Sequence, residues 1–498
     1  MSTATQAPGT DLLTALEQRL AAAAAVLPEV TVPRSDSPAA HVAALLPALV
    51  RLGAQGRPDV LWLLLTAVNG AFPTADQVVG LRRYLELAPI RYAESQILED
   101  AIAHSGTGRI DLPMRVVTAD AVVEVDFCAR HDTHTGIHRV VRETVPRWTA
   151  THDVTPVAWI DEYTAFRTLA PQEENRVLRH GRSSGVDHAA EAAYRPELVV
   201  PWGCTVVLPD VPNARASGQL AALGQYSGNR LSMIGYDLIP ITSAHLRPDV
   251  DSIASATYLT VLKHAHRVAA ISASAAQEFT GFVDTLAAQG LTGPRVSHVA
   301  LTEDAPPPGA RTRRSARPVV LLPGTWEPHK NQRAVLHAAE RLWREGVDLE
   351  VRMVGGRGWS ADVLEPLVDR LVAAGRPLVP LGRVPDAQLW QEYRDADLVV
   401  FLSLHEGYGL PVAEALACGT PVLTAPFGSQ AEIAAAGGCL TADPRDDDAI
   451  TAALRTLVTD PDARARLARE AAARPRRTWD EYATDLWSTL CNSEEPTA

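Results

Sequence analysis

The sequence is short of the features that staple a chain, span a bilayer or hold a polyanion. Only five cysteines occur in 498 residues (Cys128, Cys204, Cys418, Cys439 and Cys491), widely spaced and with no Cys-x-x-Cys pair. This argues against a disulfide framework or a zinc site and fits a reducing compartment such as the cytoplasm. Long apolar runs are missing as well. The stretch 60–68 is too short to cross a bilayer, and the segment 20–27 is mostly alanine and follows Glu17 and Arg19, a poor secretory signal. No transmembrane segment is expected, although peripheral contact with the inner face of a membrane stays open. Basic charge is in deficit, with 46 Lys and Arg against 59 Asp and Glu and a net charge of -13. Nonspecific nucleic-acid binding is therefore not expected, because it needs a basic surface to displace counterions from phosphate.

Apolar residues make up 46% and charged residues 21%, the balance of a globular protein. The length suggests two large units and an appendage. Residues 1–107 read as an all-helical accessory module. Leu12, Leu13, Leu16 and Leu20 fall at helical spacing, and Thr74-Ala-Asp-Gln77 opens a helix carrying Val78, Leu81, Tyr84 and Leu85 on one face. This module holds no catalytic constellation. It reads as a packing or self-association appendage, or as a docking module for a protein partner.

From residue 108 the helical stripes give way to short β-branched runs, and 108–302 read as a first α/β unit. A strand at 122–126 leads through Thr133-His-Thr-Gly136-Ile-His-Arg139 into a helix with Ile137, Val140, Val141 and Val145 inward. Further strands are expected at 206–208, 231–234 and 267–271. Tyr236-Asp237-Leu-Ile-Pro240 follows the second of these, and Ser272 is placed to cap a helix after the third. Ligands of such sheets bind beyond the carboxyl ends of the strands, so Gly136, Asp237 and Ser272 should share one rim.

Residues 303–317, with Pro306-Pro-Pro308-Gly and Arg311-Thr-Arg-Arg314, read as a linker. A second doubly wound unit is expected over 318–475, with strands at 319–322, 349–354, 378–381, 398–403 and 421–424. Lys330 or Asn331 should begin its first helix, and Asp386 should cap the helix carrying Leu389, Trp390 and Tyr393. The remaining 476–498 hold a packed C-terminal helix and a tail. The fold class is α/β: two Rossmann-like doubly wound domains facing a cleft, plus the N-terminal helical module.

The densest pattern lies between Gly324 and Glu432. After the strand ending near Ser403 come Glu406, Gly407 and Gly409, and then Pro411 at the start of a helix. Glycine permits close backbone approach, and proline suits the first helical turn. The free amides of Gly409, Leu410 and Val412 would then face an anion, most naturally a diphosphate. Glu414, expected in the first turn, suits a vicinal diol such as ribose, because a carboxylate accepts hydrogen bonds from both hydroxyls. Glu406 is better placed for the group at the far end of the diphosphate. Lys330 closes the matching loop of the first strand and would supply a point charge to phosphate.

Together, Gly324-Thr-Trp-Glu-Pro-His-Lys330-Asn331, Leu381-Gly-Arg383-Val384 and Glu406-Gly-Tyr-Gly-Leu-Pro-Val-Ala-Glu414 with Gly419-x-Pro421 resemble retaining glycosyltransferase family 4, of the GT-B fold. The likeness runs over about 120–490 and is dense from 319 to 440. Thr135-Gly136-Ile-x-Arg139 and Tyr236-Asp237-Leu-Ile-Pro240 resemble a subgroup rich in mannosyltransferases of polysaccharide assembly.

The resemblance implies that Glu414 binds the nucleotide ribose, that Glu406 contacts the transferred sugar, and that Lys330 with the amides near Leu410 and Pro411 holds the diphosphate. Arg383 and Val384 would border the base, and Gly136 would approach the donor from the other domain. Asp237 joins Glu406 and Lys330 as a residue expected at the reacting centre. The chain departs from the family at Thr325, where many members carry arginine, and at Tyr236, where many carry histidine.

No cofactor or metal is implied. Asp249-Val-Asp251 and Asp395-Ala-Asp397 read as surface or helix-cap residues. The donor expected is a nucleoside diphosphate sugar, GDP-mannose before UDP-sugars, and the second substrate a hydroxyl acceptor. The leaving phosphate would itself take the acceptor proton, so no protein nucleophile is named. The alternatives on the same fold are a nucleotide-sugar 2-epimerase and a noncatalytic nucleotide-sugar-binding subunit.

Overall fold

Nine short strands build the first sheet: β1 (Met114–Val117), β2 (Ala121–Glu124), β3 (Val154–Trp159), β4 (Phe166–Arg167), β5 (Leu198–Pro201), β6 (Thr205–Leu208), β7 (Arg230–Gly235), β8 (Arg267–Ala270) and β9 (Arg295–His298). Their order is β1-β5-β4-β3-β2-β6-β7-β8-β9. Every pairing is parallel except the two made by β4. The computed structural model describes residues 12–492 apart from 34, 36, 104–105, 133–134, 181–187, 303–308 and 314. The expectations for Thr133, His134, the prolines at 306–308 and Arg314 lie outside the described residues.

The second sheet holds β10 (Val319–Pro323), β11 (Glu350–Val354), β12 (Leu378–Gly382), β13 (Leu398–Phe401), β14 (Val422–Thr424) and β15 (Cys439–Thr441), all parallel, in the order β12-β11-β10-β13-β14-β15. β10 and β13 are buried along their whole length, as strands covered by helices on both faces must be. Because β10 and β13 are neighbours, the loops leaving their carboxyl ends emerge side by side. That adjacency positions the site described below.

The five N-terminal helices lie against the first sheet and share one continuous apolar core with it. Trp62, Phe72, Phe166 and Trp159 form an aromatic chain across the junction, with centroids 5.1 Å apart from Trp62 to Phe72 and from Phe72 to Phe166, and 4.4 Å from Trp159 to Phe166. Arg19, 1% exposed, donates to the carbonyls of Ala67, Ile110 and Leu112 at 2.6, 2.5 and 3.1 Å. Its buried guanidinium is satisfied by backbone oxygen, and burial pulls its pKa down to about 10.

Three local expectations are corrected. The first helix of the second domain begins at Gln332, after a 3-10 turn over Pro328–Lys330, and Asn331 sits between them in the left-handed region at φ 56°. Asparagine tolerates that conformation, and its side chain donates to the Pro444 carbonyl at 2.7 Å. Asp386 is the first residue of the helix Asp386–Asp395 and makes no capping bond, since Pro385 occupies the cap position. Asp395 is not a surface residue: at 1% exposure it accepts from the Thr312 and Arg313 amides at 2.6 and 3.1 Å. The segment around Thr312 is thereby tied to the second domain.

The C-terminal helix, Trp479–Cys491, crosses back to the first domain. Trp148 Nε1 donates to the Ala483 carbonyl at 2.8 Å, and Ser232 Oγ and Arg267 hold the last carbonyls at Leu490 and Thr489, both at 2.9 Å. A basic residue at a helix C-terminus also complements the helix dipole.

Candidate active site

The carboxyl rims of the two sheets meet. Ser272, after β8, caps the helix Ala273–Leu286 through the Ala275 amide at 2.9 Å and donates its hydroxyl to the Gly407 carbonyl at 2.6 Å. The same helix start receives Glu432 of the other domain, which accepts from the Ala273 and Ser274 amides at 2.9 and 2.6 Å. Across this seam His405 pairs with Glu278 at 2.7 Å through Nε2 and meets Ser243 Oγ at 2.9 Å through Nδ1.

On the donor side, the loop after β10 is pinned by the Gly324 amide on the Val354 carbonyl at 2.8 Å and by Gln332 Nε2 on the Thr325 carbonyl at 2.8 Å. A side chain at Gly355 would stand 2.0 Å from the Gly324 oxygen, so the two loops stack only because that position is glycine. The loop ends at Lys330, whose Nζ lies 2.7 Å from Glu406 Oε1. Glu406 is 10% exposed. Burial pushes its carboxyl up, but the charge and the hydrogen bond of Lys330 outweigh this and hold it below the usual carboxylate range. His329 is kept neutral, its pKa lowered to about 4 by burial and by Lys330.

After Glu406 the chain turns through Gly409, at φ 104°, into the helix Leu410–Ala417, with Pro411 at its second position. Val412 is not available to a ligand as expected, because its amide already donates to the Gly409 carbonyl at 2.9 Å in a tight first turn. Among the described residues the Gly409 and Leu410 amides make no hydrogen bond, so the open pair is one residue shorter than the sequence implied.

Glu414 stands in the second turn rather than the first. Its Oε2 accepts from Tyr393 at 2.9 Å and its Oε1 from Arg139 Nη1 at 3.0 Å. Burial outweighs Arg139 here, and the carboxyl is held above its ordinary range.

From the first domain, Gly136 opens the helix Gly136–Thr151, and a methyl group on it would come within 2.8 Å of Leu410 Cδ1. Asp237, after β7, presses on the loop after β13: a side chain at Gly407 would meet the Tyr236 oxygen at 2.5 Å and Asp237 Oδ2 at 3.1 Å. Asp237 accepts from the Ile239 amide at 3.1 Å, and its pKa is raised to about 6, by burial first and by Glu278 and Glu406 after it. Tyr236 turns its hydroxyl away to the Pro209 carbonyl at 2.6 Å, so its side chain takes no part.

The structure thus gathers Lys330, Glu406, Gly409, Leu410, Pro411, Glu414, Gly136 and Asp237 at one seam. Thr325 and Arg383 lie on the loops flanking the 355–358 turn. A side chain at Gly358 would touch Thr325 Cγ2 at 2.9 Å, and one at Gly356 would lie 3.6 Å from Arg383 Nε. Val384 packs at the edge of the core. The reading of the sequence missed His405, Glu278 and the ionic role of Arg139. The Gly136–Arg139 spacing did hold a signal, since residues three apart share a helix face.

The fold is GT-B, and residues 309–474 match the family Glycosyl transferases group 1. The O-antigen chain mannosyltransferase B of Escherichia coli is 39% identical over 171 residues, 33% of this chain and 43% of its own length. D-inositol 3-phosphate glycosyltransferase of Rhodococcus opacus (strain B4) is 36% identical over 180 residues, 34% of this chain and 39% of its own. The chain spans about two fifths of the length of these curated relatives. Among solved structures, the alpha,alpha-trehalose 6-phosphate synthase from Burkholderia multivorans superposes with a TM-score of 0.51 at 14% identity, covering 76% of this chain and 96% of that one. The catalytic domain of Starch Synthase IV from Arabidopsis thaliana gives 0.51 at 12%, covering 75% and 99%. Among the described residues no helix is long and apolar enough to cross a membrane.

Proposed function

We propose that this protein transfers a hexose, mannose first, from a nucleoside diphosphate sugar to a hydroxyl acceptor, with retention at the anomeric carbon and without a metal ion, in the assembly of a polysaccharide or related glycoconjugate. The observation that carries this reading is the convergence of Lys330, Glu406 and the open Gly409 and Leu410 amides at the facing rims of two domains. In that arrangement the two amides and Lys330 hold the diphosphate, and Glu414 takes the ribose diol. Glu406, ionised beside Lys330, faces the transferred sugar and opposes the positive charge that builds at its anomeric carbon. Negative charge growing on the leaving diphosphate is met by preorganised donors in a partly water-excluded seam, where such interactions are strong. The mannosyl donor is favoured because the similar Escherichia coli proteins are named mannosyltransferases.

Purified protein incubated with GDP-mannose, with and without an acceptor extract, tests this reading. Release of GDP only when acceptor is present is the expected result. Release without acceptor would favour hydrolysis, an isomeric nucleotide sugar formed without net release would favour the epimerase, and no release across a panel of GDP- and UDP-sugars would defeat the proposal.

A further inference from the structure

We infer that Arg139, supplied by the first domain, is a donor-binding residue that exchanges partners: it holds Glu414 across the cleft and moves to the donor diphosphate once ribose occupies Glu414. The inference rests on the nucleotide-site reading given above and adds a residue that reading does not use.

Gly136 and Arg139 lie about one turn apart on one face of the helix Gly136–Thr151, and Leu410 and Glu414 lie about one turn apart on one face of the helix Leu410–Ala417. Gly136 abuts Leu410, and Arg139 pairs with Glu414. The two contacts follow the same order along both helices, so Arg139 and Leu410 border one stretch of the seam. Side chains on a helix lean toward its N-terminus, so an arginine at this position is directed toward Gly136, the residue that abuts Leu410.

The charges call for such a move. Thr325 carries no charge, and the charge of Lys330 is already matched by Glu406. A diphosphate arriving at the Leu410 amide would meet a donor-side cluster in which Glu406 and Glu414 together outweigh Lys330. Arg139 corrects this balance, and its planar fork suits phosphate oxygens. The Arg139 side chain is 32% exposed, and its guanidinium carbon stands 5.7 and 5.6 Å from the ring centres of Trp390 and Trp479, surfaces over which a planar cation can slide.

Calorimetric titration of the full chain with guanosine and with GDP separates the two roles. In Arg139→Met, guanosine should bind roughly two- to fivefold tighter, because a competitor for Glu414 has gone. GDP should bind about ten- to a hundredfold weaker, because a charge-assisted contact to phosphate is lost. Arg139→Lys, which keeps the charge and guards against a folding defect, should recover part of the GDP affinity. Equal shifts for the two ligands in Arg139→Met, or no shift for either, would overturn the inference while leaving the nucleotide site standing. Failure of the wild-type protein to bind GDP would remove both.

Discussion

Lys330 Nζ and Glu406 Oε1 stand 2.7 Å apart, although 76 residues separate them, because β10 and β13 are parallel neighbours and both residues lie on the loops at their carboxyl ends. The lysine keeps a largely buried carboxylate ionised and presents its remaining ammonium protons to the seam between the domains. Removing it should therefore act twice. In Lys330→Met, affinity for a nucleoside diphosphate should fall about ten- to a hundredfold, the loss of one charge-assisted contact. The Glu406 carboxyl, left with its burial unopposed, should titrate at higher pH. The acidic limb of the pH–rate profile should then move upward, and an unmoved limb would show that Glu406 does not control it.

The His405–Glu278 pair joins the domains and gives a pH window for stability. His405 is raised chiefly by its hydrogen bond to Glu278, so its contribution is complete below the unfolded value of roughly 6.5 and is lost as pH rises through the higher folded value. Glu278 is lowered: burial opposes this, and His405 and the Leu238 amide outweigh it. Its contribution is present above the unfolded value and fades as pH falls through the lower folded one. Thermal unfolding of His405→Gln should lose the alkaline decline that wild type shows above neutrality.

Asp237 has the opposite sense from an ordinary carboxylate, since its folded pKa is raised to about 6. The protonated form is favoured in the folded protein, so this group costs stability as pH rises through about 6. Asp237→Asn should match wild type near pH 4, exceed it in melting temperature at pH 8, and lose transfer activity. A variant with unchanged turnover would remove Asp237 from the reacting centre.

Gly407 is a close-approach position. A methyl group there meets backbone, the Tyr236 oxygen at 2.5 Å, which cannot swing aside as a side chain can. Gly407→Ala should cost about 1 to 3 kcal/mol and loosen the seam. Gly136→Ala, which meets only the end of the Leu410 side chain, should be milder. Equal melting temperatures for the two variants would contradict the seam as described.

The legible parts of the site were those encoded locally. Glu406, Gly409, Leu410 and Glu414 fall within nine residues, and strand, glycine and helix start declare their chemistry together. Arg139 and Glu414 are 275 positions apart, and no local pattern could pair them. The same holds for His405 and Glu278. The Val412 amide differs from the expectation because a three-residue turn, closed on the Gly409 carbonyl, is drawn tighter than a regular helix start.

In the fold, long apolar runs such as β10 and β13 were plain. β3 carries Pro156 inside the strand, β4 has two residues and β15 three, and β9 exposes Arg295, Ser297 and His298 at the sheet edge. Proline, brevity and an exposed edge each erase the apolar signal by which strands are found. β1 and β5, short and flanked by proline, were lost in the same way.

The central claim is that this seam holds a nucleoside diphosphate sugar through Glu414 and the amides before it. A calorimetric panel of GDP, UDP and ADP against wild type and Glu414→Ala tests it most directly. The account predicts that one nucleotide, GDP first, binds wild type and binds Glu414→Ala at least about tenfold more weakly, as loss of a hydrogen-bonded carboxylate implies. Unchanged binding in Glu414→Ala would contradict it.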